Sequence, residues 1–481
     1  MNFKSFIFIS LIILNIPLLK EESDEKLLFV WEHFRHGARG PYKSFDYKNW
    51  KDILNEKWKG AEELTSLGMR MNYLLGVATR KRYKNFLSSE YNPNEIFIIS
   101  SNTNRTLLSA YSTLQGIYNK SKNINLKENQ IKRVFIQNKN YSKKLKDKIF
   151  NIKDKPIEGG MNFFPVHIYN HKELKFQLYR KEICPGIWPY IQRIRKSEGM
   201  QNIYKNINRA TNENFGKFFF QIFGNSSSEN SNFYNFEDIK TICDTFISDY
   251  VDGREIENFK KSGINLGKFY EYCLNISLVT SYYNYYGYPN EKTVEFGVSP
   301  TFREIFYYMD KRILLDKCGE PEKIISSSPK FIIVSSHDIS LAAIDLFLES
   351  KFGIKYKRAD YASSQIFELW KKNKNGKYLI KYLINFEISG TFDYDDFKNK
   401  VFSELYSEEE IKEICFYNSL YNLNKKHFNY YYSFLLIIIF LIFLIISLII
   451  IKKRGKKIQF KNQKLTIEMK EMPFSDEILF E

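Results

Sequence analysis

Three short clusters in this 481-residue chain combine residue types that can handle a tetrahedral anion: Arg35-His36-Gly37-Ala38-Arg39, Asn104-Arg105-Thr106 and Ser336-His337-Asp338. Forked guanidinium donors hold a dianionic phosphoryl group and stabilise charge on its equatorial oxygens during transfer. An imidazole among them attacks phosphorus and forms a covalent intermediate. Asp338 is placed to protonate a departing ester oxygen, and the glycines permit close backbone approach. Brought together, the clusters unite Arg35, Arg39, Arg105, His36, His337 and Asp338.

What must bring them together is a sheet, because each cluster follows a strand-like run. Leu27–Trp31 is a short apolar run, residues 95–100 read EIFIIS, and residues 331–334 read FIIV. In an open α/β sheet, ligands bind at the carboxyl ends of the strands. Helical periodicity fills the intervals. Thr65 reads as an N-cap before Leu67, Met71, Leu74 and Ala78; Leu107, Tyr111, Leu114 and Tyr118 form a second stripe; residues 302–315 form a third. From about residue 120 to 290 strand runs disappear, replaced by Lys/Asn-rich loops, the polar tract GNSSSENSN at 224–232 and helix-like segments. The expected fold is α/β, a central mostly parallel sheet flanked by helices and split by a largely helical inserted subdomain. A lone histidine beside a strand is usually structural, and an arginine there is usually a surface charge. Here, two of the six histidines fall at strand ends beside Arg or Asp, which favours one joint site.

The ends of the chain read differently. Residues 1–20, apolar from Phe6 to Leu19 behind one lysine, suit a signal peptide. Phe434–Ile451 is an uncharged run of 18 residues, preceded by Tyr430, Tyr431 and Tyr432 and followed by KKRGKK at 452–457. That pattern predicts a transmembrane helix at 431–451, a cytosolic tail at 452–481 and a lumenal or extracellular body at 21–430, the topology of a single-pass type I membrane protein. Cysteines at 184, 243, 273, 318 and 415, none in a CxxC pair, fit an oxidising compartment, and the odd count leaves one thiol free or joined between chains. Sequons at Asn104, Asn119, Asn140, Asn225 and Asn275 agree with a secreted body. The net charge of +17 is scattered and carries no nucleic-acid module, so it implies only a general attraction to anionic substrates or surfaces.

With these residues in view, a resemblance follows. FRHGARGP (34–41) resembles the RHGxRxP motif of the histidine acid phosphatase family, within the phosphoglycerate mutase-like histidine phosphatase superfamily. VSSHDISLAA resembles its HD motif. Residues 58–76, 91–118 and 360–370 resemble further family stretches in order and spacing. The resemblance implies His36 as the nucleophile that becomes phosphohistidine, Arg35, Arg39, Arg105 and His337 as phosphate ligands, and Asp338 as proton donor. It implies no cofactor and no metal, and leaves a homodimer open. It also implies a Cys184–Cys415 disulfide. One departure stands out: the family's RSTD-like stretch is Ile99-Ser100-Ser101-Asn102 here, at positions that resemble supporting ones.

The expected activity is therefore acid hydrolysis of phosphate monoesters at the cell surface or in a lysosome-like compartment. An acid optimum follows from a neutral His36 held among guanidiniums and an Asp338 that must carry its proton. Alternatives are a phytase or inositol polyphosphate phosphatase, a lysophosphatidic acid phosphatase, and a surface protein with a retired site. If Asp338 were not the acid, Glu32 and Asp360 would be the next to test.

Overall fold

The computed structural model describes residues 24–42, 60–118, 125–131, 154–156, 162–169, 178–223, 234–254, 263–283, 293–318, 328–355 and 358–417. The chain divides into two units, Met1–Cys415 and Phe416–Glu481. The expected signal peptide (1–20), transmembrane run (431–451) and tail (452–481) lie outside the described residues, as do the sequons at Asn119, Asn140 and Asn225. Among the described residues no helix is long and apolar enough to cross a membrane.

The first unit is built on seven strands: β1 (Glu25–Arg35), β2 (Ile96–Ser100), β3 (His167–Ile168), β4 (Phe331–Ser336), β5 (Ser364–Lys372), β6 (Tyr378–Ile384) and β7 (Glu387–Asp393). They form one sheet in the order β3-β2-β4-β1-β5-β6-β7. β1 and β2 both pair parallel with β4, and β3 pairs parallel with β2. β5 then pairs antiparallel with β1, β6 with β5, and β7 with β6. The expectation of a mostly parallel sheet is thus corrected to a mixed one. Short connections account for its β5-β6-β7 edge. Helices separate β1, β2 and β4, whereas β6 and β7 are joined by Asn385 and Phe386, at φ 50 and 69. Two consecutive left-handed residues make a tight hairpin, which can only return the chain antiparallel.

β1 is the central strand and is buried on both faces, which is why its apolar run is nearly continuous. Phe29 and Trp31 pack with α7 (Thr293–Cys318) and α8 (Asp338–Phe352) on one side. Val30 and Phe34 pack with α1 (Ser66–Arg82) and α2 (Asn104–Ile117) on the other. Thr65 caps α1 as expected, its hydroxyl accepting from Gly68 N at 3.0 Å.

Between α2 and α7 the described chain is largely helical: α3 (Trp188–Lys196), α4 (Glu198–Phe223), α5 (Phe236–Asp252) and α6 (Leu266–Leu278). These helices bury their own aromatic cluster, including Phe219, Tyr234, Phe246 and Phe269. The two-residue β3, which the composition did not announce, is an exposed addition to the sheet edge. A disulfide joins Cys243 on α5 to Cys273 on α6, and a second joins Cys184 to Cys415, the pair implied by the resemblance. Cys318 is exposed and free.

Candidate active site

The first cluster begins where β1 stops. Arg35 is the last strand residue. The backbone of the next residue is pinned from both sides, His36 N donating to Ser336 O (3.0 Å) and His36 O accepting from Ala362 N (3.2 Å). Gly37 follows where nothing larger fits, since a Cβ would lie 2.2 Å from Gly68 O. Main-chain hydrogen bonds from Thr65 to Ala38, Gly40 to Glu63 and Glu62 to Pro41 then lay residues 38–41 along the entry to α1. The second and third clusters are the N-termini of helices. Asn104 opens α2 directly after β2, and Asp338 opens α8 directly after β4.

All six expected residues converge. The rings of His36 and His337 lie 5.5 Å apart, edge to face. Each arginine reaches the site by way of a carboxylate. Arg35 Nη2 lies 2.9 Å from Asp338 Oδ2, Arg39 Nη2 lies 2.9 Å from Asp244 Oδ1, and Arg105 Nη1 lies 3.1 Å from Glu62 Oε2. In each pair the carboxylate is about twice as exposed as its arginine, 24%, 25% and 30% against 12%, 13% and 14%, so the acids occupy the solvent side. Arg35 is also fixed by Ala359 O (2.9 Å) and by the ring of Tyr361, whose centroid lies 4.4 Å from its guanidinium carbon. The Nε atoms of Arg35 and Arg105 are buried and have no hydrogen-bond partner among the described residues, a costly arrangement for cationic donors in a closed protein interior.

The histidines are held in defined protonation states. His36 Nδ1 lies 2.8 Å from Gly37 O. A carbonyl only accepts, so Nδ1 carries the hydrogen and Nε2 keeps its lone pair. Burial first, then the charges of Arg105, Arg35, His337 and Arg39, push His36 well below the ordinary imidazole range. Burial and the charges of Arg105, Arg180, Arg35 and Arg39 do the same to His337. Both rings are therefore biased toward their neutral forms.

Glu32 and Asp360, the fallback acids, lie in surroundings unlike those of Asp338. Glu32 is sealed under the sheet, accepting from Thr79 Oγ1 at 3.0 and 3.1 Å, and burial raises its pKa to about 8 despite that bond. Asp360 is exposed and paired with Arg358 at 2.7 Å. Asn104, a sequon residue, donates to Glu63 Oε1 at 2.8 Å, and Asn275 is exposed on α6.

Several contributors were not anticipated. Asp244, on α5 of the insertion, grips Arg39 through both nitrogens (2.9 and 3.3 Å) and accepts from Tyr42 N at 2.7 Å. Burial alone would raise its pKa, but Arg39 and the Tyr42 amide outweigh it and the carboxyl is lowered. Glu62 and Ala362, both at positive φ (61 and 58), place a carboxylate on Arg105 and an amide on His36 O. Such left-handed non-glycine residues are uncommon, persist only where surrounding bonds over-determine them, and cluster at functional sites.

Comparison with known proteins gives the family of this chain. The family model of the histidine phosphatase superfamily (branch 2) matches residues 26–385. A lysosomal acid phosphatase of Xenopus laevis is 23% identical over 78% of this chain and 73% of its own length. A testicular acid phosphatase of Mus musculus is 38% identical, but over only 22% of this chain and 26% of its own length. Among solved structures, a Hafnia alvei phytase in complex with myo-inositol hexakis sulphate superposes with a TM-score of 0.51 at 13% identity, covering 80% of this chain and 98% of that one, a likeness of fold alone. The matched span contains all three strand-end clusters and the whole insertion between them, and on that ground the chain belongs to the histidine phosphatase superfamily, branch 2.

Proposed function

We propose that this chain is an acid phosphatase that hydrolyses phosphate monoesters through a phosphohistidine at His36. Its body would lie in a lumenal, lysosome-like compartment or at the cell surface, with residues 431–451 as its membrane anchor. The observation that carries the reading is the Nδ1–H of His36 donating to Gly37 O, which leaves Nε2 as a nucleophile ringed by three guanidiniums. Nε2 forms a bond to phosphorus while the P–O ester bond breaks. Arg35, Arg39, Arg105 and His337 hold the equatorial oxygens, and Asp338 gives its proton to the departing alkoxide. Water then attacks the phosphohistidine, the Asp338 carboxylate takes its proton, the P–N bond breaks and inorganic phosphate leaves. Burial and the surrounding guanidiniums lower the pKa of His36, which keeps its attacking nitrogen unprotonated further into the acid range than an ordinary imidazole.

The phytase alternative is equally consistent with the family and the fold. A retired site is disfavoured because all six residues meet.

A brief pulse of labelled phosphate ester followed by denaturation at neutral pH tests the mechanism. The expected adduct is stable to base and labile to acid, and His36→Ala abolishes both label and turnover. Substantial turnover in that variant would assign the attack to another residue.

A further inference from the structure

The stretch Ile99-Ser100-Ser101-Asn102, where the chain departs from the family pattern, contains a hydroxyl with a defined task. Ser101 lies just past β2 and is fully buried, as is Thr106 in the first turn of α2. Ser101 Oγ lies 3.0 Å from His337 Nε2 and 2.8 Å from Thr106 Oγ1. The direction of these bonds follows from groups that have no choice. A guanidinium only donates, so His337 Nδ1 accepts from Arg105 Nη2 at 3.2 Å. The neutral ring therefore carries its hydrogen on Nε2 and donates it to Ser101. At the far end Thr106 Oγ1 lies 2.9 Å from the carbonyl of Ser101, 3.0 Å from that of Thr103 and 2.8 Å from Thr103 Oγ1. Ser101 thus accepts the His337 Nε2–H and is itself tied to a hydroxyl cluster that ends on the main chain.

The bond to Ser101 commits Nε2, so only Nδ1, which in the resting site accepts from Arg105 Nη2 at 3.2 Å, can turn to the phosphoryl group. As a lone pair it repels a phosphate oxygen. On the reading that the chain hydrolyses phosphate monoesters, we propose that Ser101 is a positioning residue: it holds His337 with Nδ1 toward the phosphoryl group, so that His337 binds the ester by taking up a proton at Nδ1. The proton has a source. Below about pH 6 a phosphate monoester is a monoanion, and its P–O–H hydrogen passes to Nδ1. The products are an ester dianion and an imidazolium whose Nε2–H still donates to Ser101; Nδ1 gives up the bond from Arg105 Nη2, whose N–H turns to the dianion, and total charge is conserved.

The groups around His337 are suited to such a response. Arg35 and His36 face it from the end of β1, Arg39 from the following loop, Arg105 from α2 and Arg180 from the segment ahead of α3. The carboxylates of Asp338, Asp244 and Glu62 are engaged by Arg35, Arg39 and Arg105. Nothing there favours an imidazolium until an anion arrives.

Sulfate provides the test, since it is a tetrahedral dianion that brings no proton between about pH 4 and 7. In the full-length chain labelled with 15N-histidine, resting His337 is expected as the Nε2–H tautomer, and sulfate should protonate Nδ1. Ser101→Ala should weaken sulfate binding about 10- to 100-fold at pH 5, the worth of a hydrogen bond to a charged group. The same variant should move the upper limb of the binding–pH profile to lower pH. Ser101→Thr, which keeps the hydroxyl, should bind within about threefold of wild type. A resting Nδ1–H tautomer, or a wild-type pH limb in Ser101→Ala, overturns the proposal. If the alanine variant does not fold, the wild-type spectrum alone decides. Hydrolysis of a phosphate ester by the same wild-type sample separates the two failures: no hydrolysis sinks the proposed function, whereas hydrolysis with an unaltered limb in Ser101→Ala sinks only the role of Ser101.

Discussion

The α/β body and the helical insertion contribute to the site in opposite ways. In the body every reactive group sits at the end of a strand or in the first turn of the helix behind it. Sheet hydrogen bonds such as His36 N to Ser336 O and Arg35 N to Ser363 O fix its backbone. The insertion packs around its own aromatic cluster and its own disulfide, yet sends Asp244 from α5 onto Arg39. Chemistry is therefore carried by residues adjacent to strands, and orientation by a residue 205 positions away in the chain. The two regions should respond differently to mutation: body variants change what reaction occurs, and insertion variants change how well phosphate is held.

The largest effect belongs to the body. Asp338→Asn keeps size and removes the transferable proton. It should slow alkyl phosphates by about 100- to 10,000-fold, with a much smaller loss on p-nitrophenyl phosphate, whose leaving group departs without a proton. Inorganic phosphate should still bind, because Arg35, Arg39 and Arg105 remain. Equal slowing of both esters with lost phosphate binding would mean that Asp338 only orients Arg35, its partner at 2.9 Å.

A smaller loss is expected from the insertion. Asp244→Ala frees Arg39 from a bidentate partner and should weaken phosphate inhibition and raise KM by about tenfold, the scale of one charge-assisted hydrogen bond. The leaving-group dependence should stay as in wild type. In an Arg39→Ala background the same substitution should add almost nothing, because the two act through one contact. An additive loss in the double variant would show that α5 supports the site by some route other than Arg39.

This contrast also explains what could be read from the sequence. Thr65 was legible because a cap and a helical stripe are local signals, and the three clusters because strand runs precede them. Asp244 was not: in FEDIKTICDTFISDYVD it is one acid among several on an amphipathic helix, and its role arises only when α5 meets residues 39–42. Glu62 and Ser101 were hidden for the same reason, as their partners Arg105 and His337 lie on other elements. The β6–β7 hairpin was hidden because its turn at Asn385-Phe386 lacks the glycine that usually marks one, whereas the β5–β6 turn did carry a local signal in Asn375-Gly376, with Gly376 at φ 67. The Cys184–Cys415 pair, distant by 231 residues, was accessible through resemblance alone.

The smallest expected effect is a change of slope, and it arises inside β1. Burial raises the pKa of Glu32 from 4.5 to about 8 and lowers that of His33 from 6.5 to about 3. For Glu32 the folded state keeps a proton that the unfolded chain releases, so its stabilisation is complete below 4.5 and is lost as pH rises to about 8. For His33 the folded state stays neutral while the unfolded chain protonates, so its stabilisation is complete above 6.5 and is lost as pH falls to about 3. Each slope is about 1.4 kcal/mol per pH unit, with opposite sign. Between pH 4.5 and 6.5 these two cancel, so the pH dependence of stability there comes from other shifted groups, His36 and His337 among them. Of the pair, only the Glu32 loss remains above 6.5 and only that of His33 below 4.5. Glu32→Gln should break the balance: its urea midpoint should rise more steeply with pH from 4.5 to 6.5 than that of wild type, by the slope that Glu32 no longer subtracts. Parallel profiles for the two proteins would mean that Glu32 does not hold its proton in the fold.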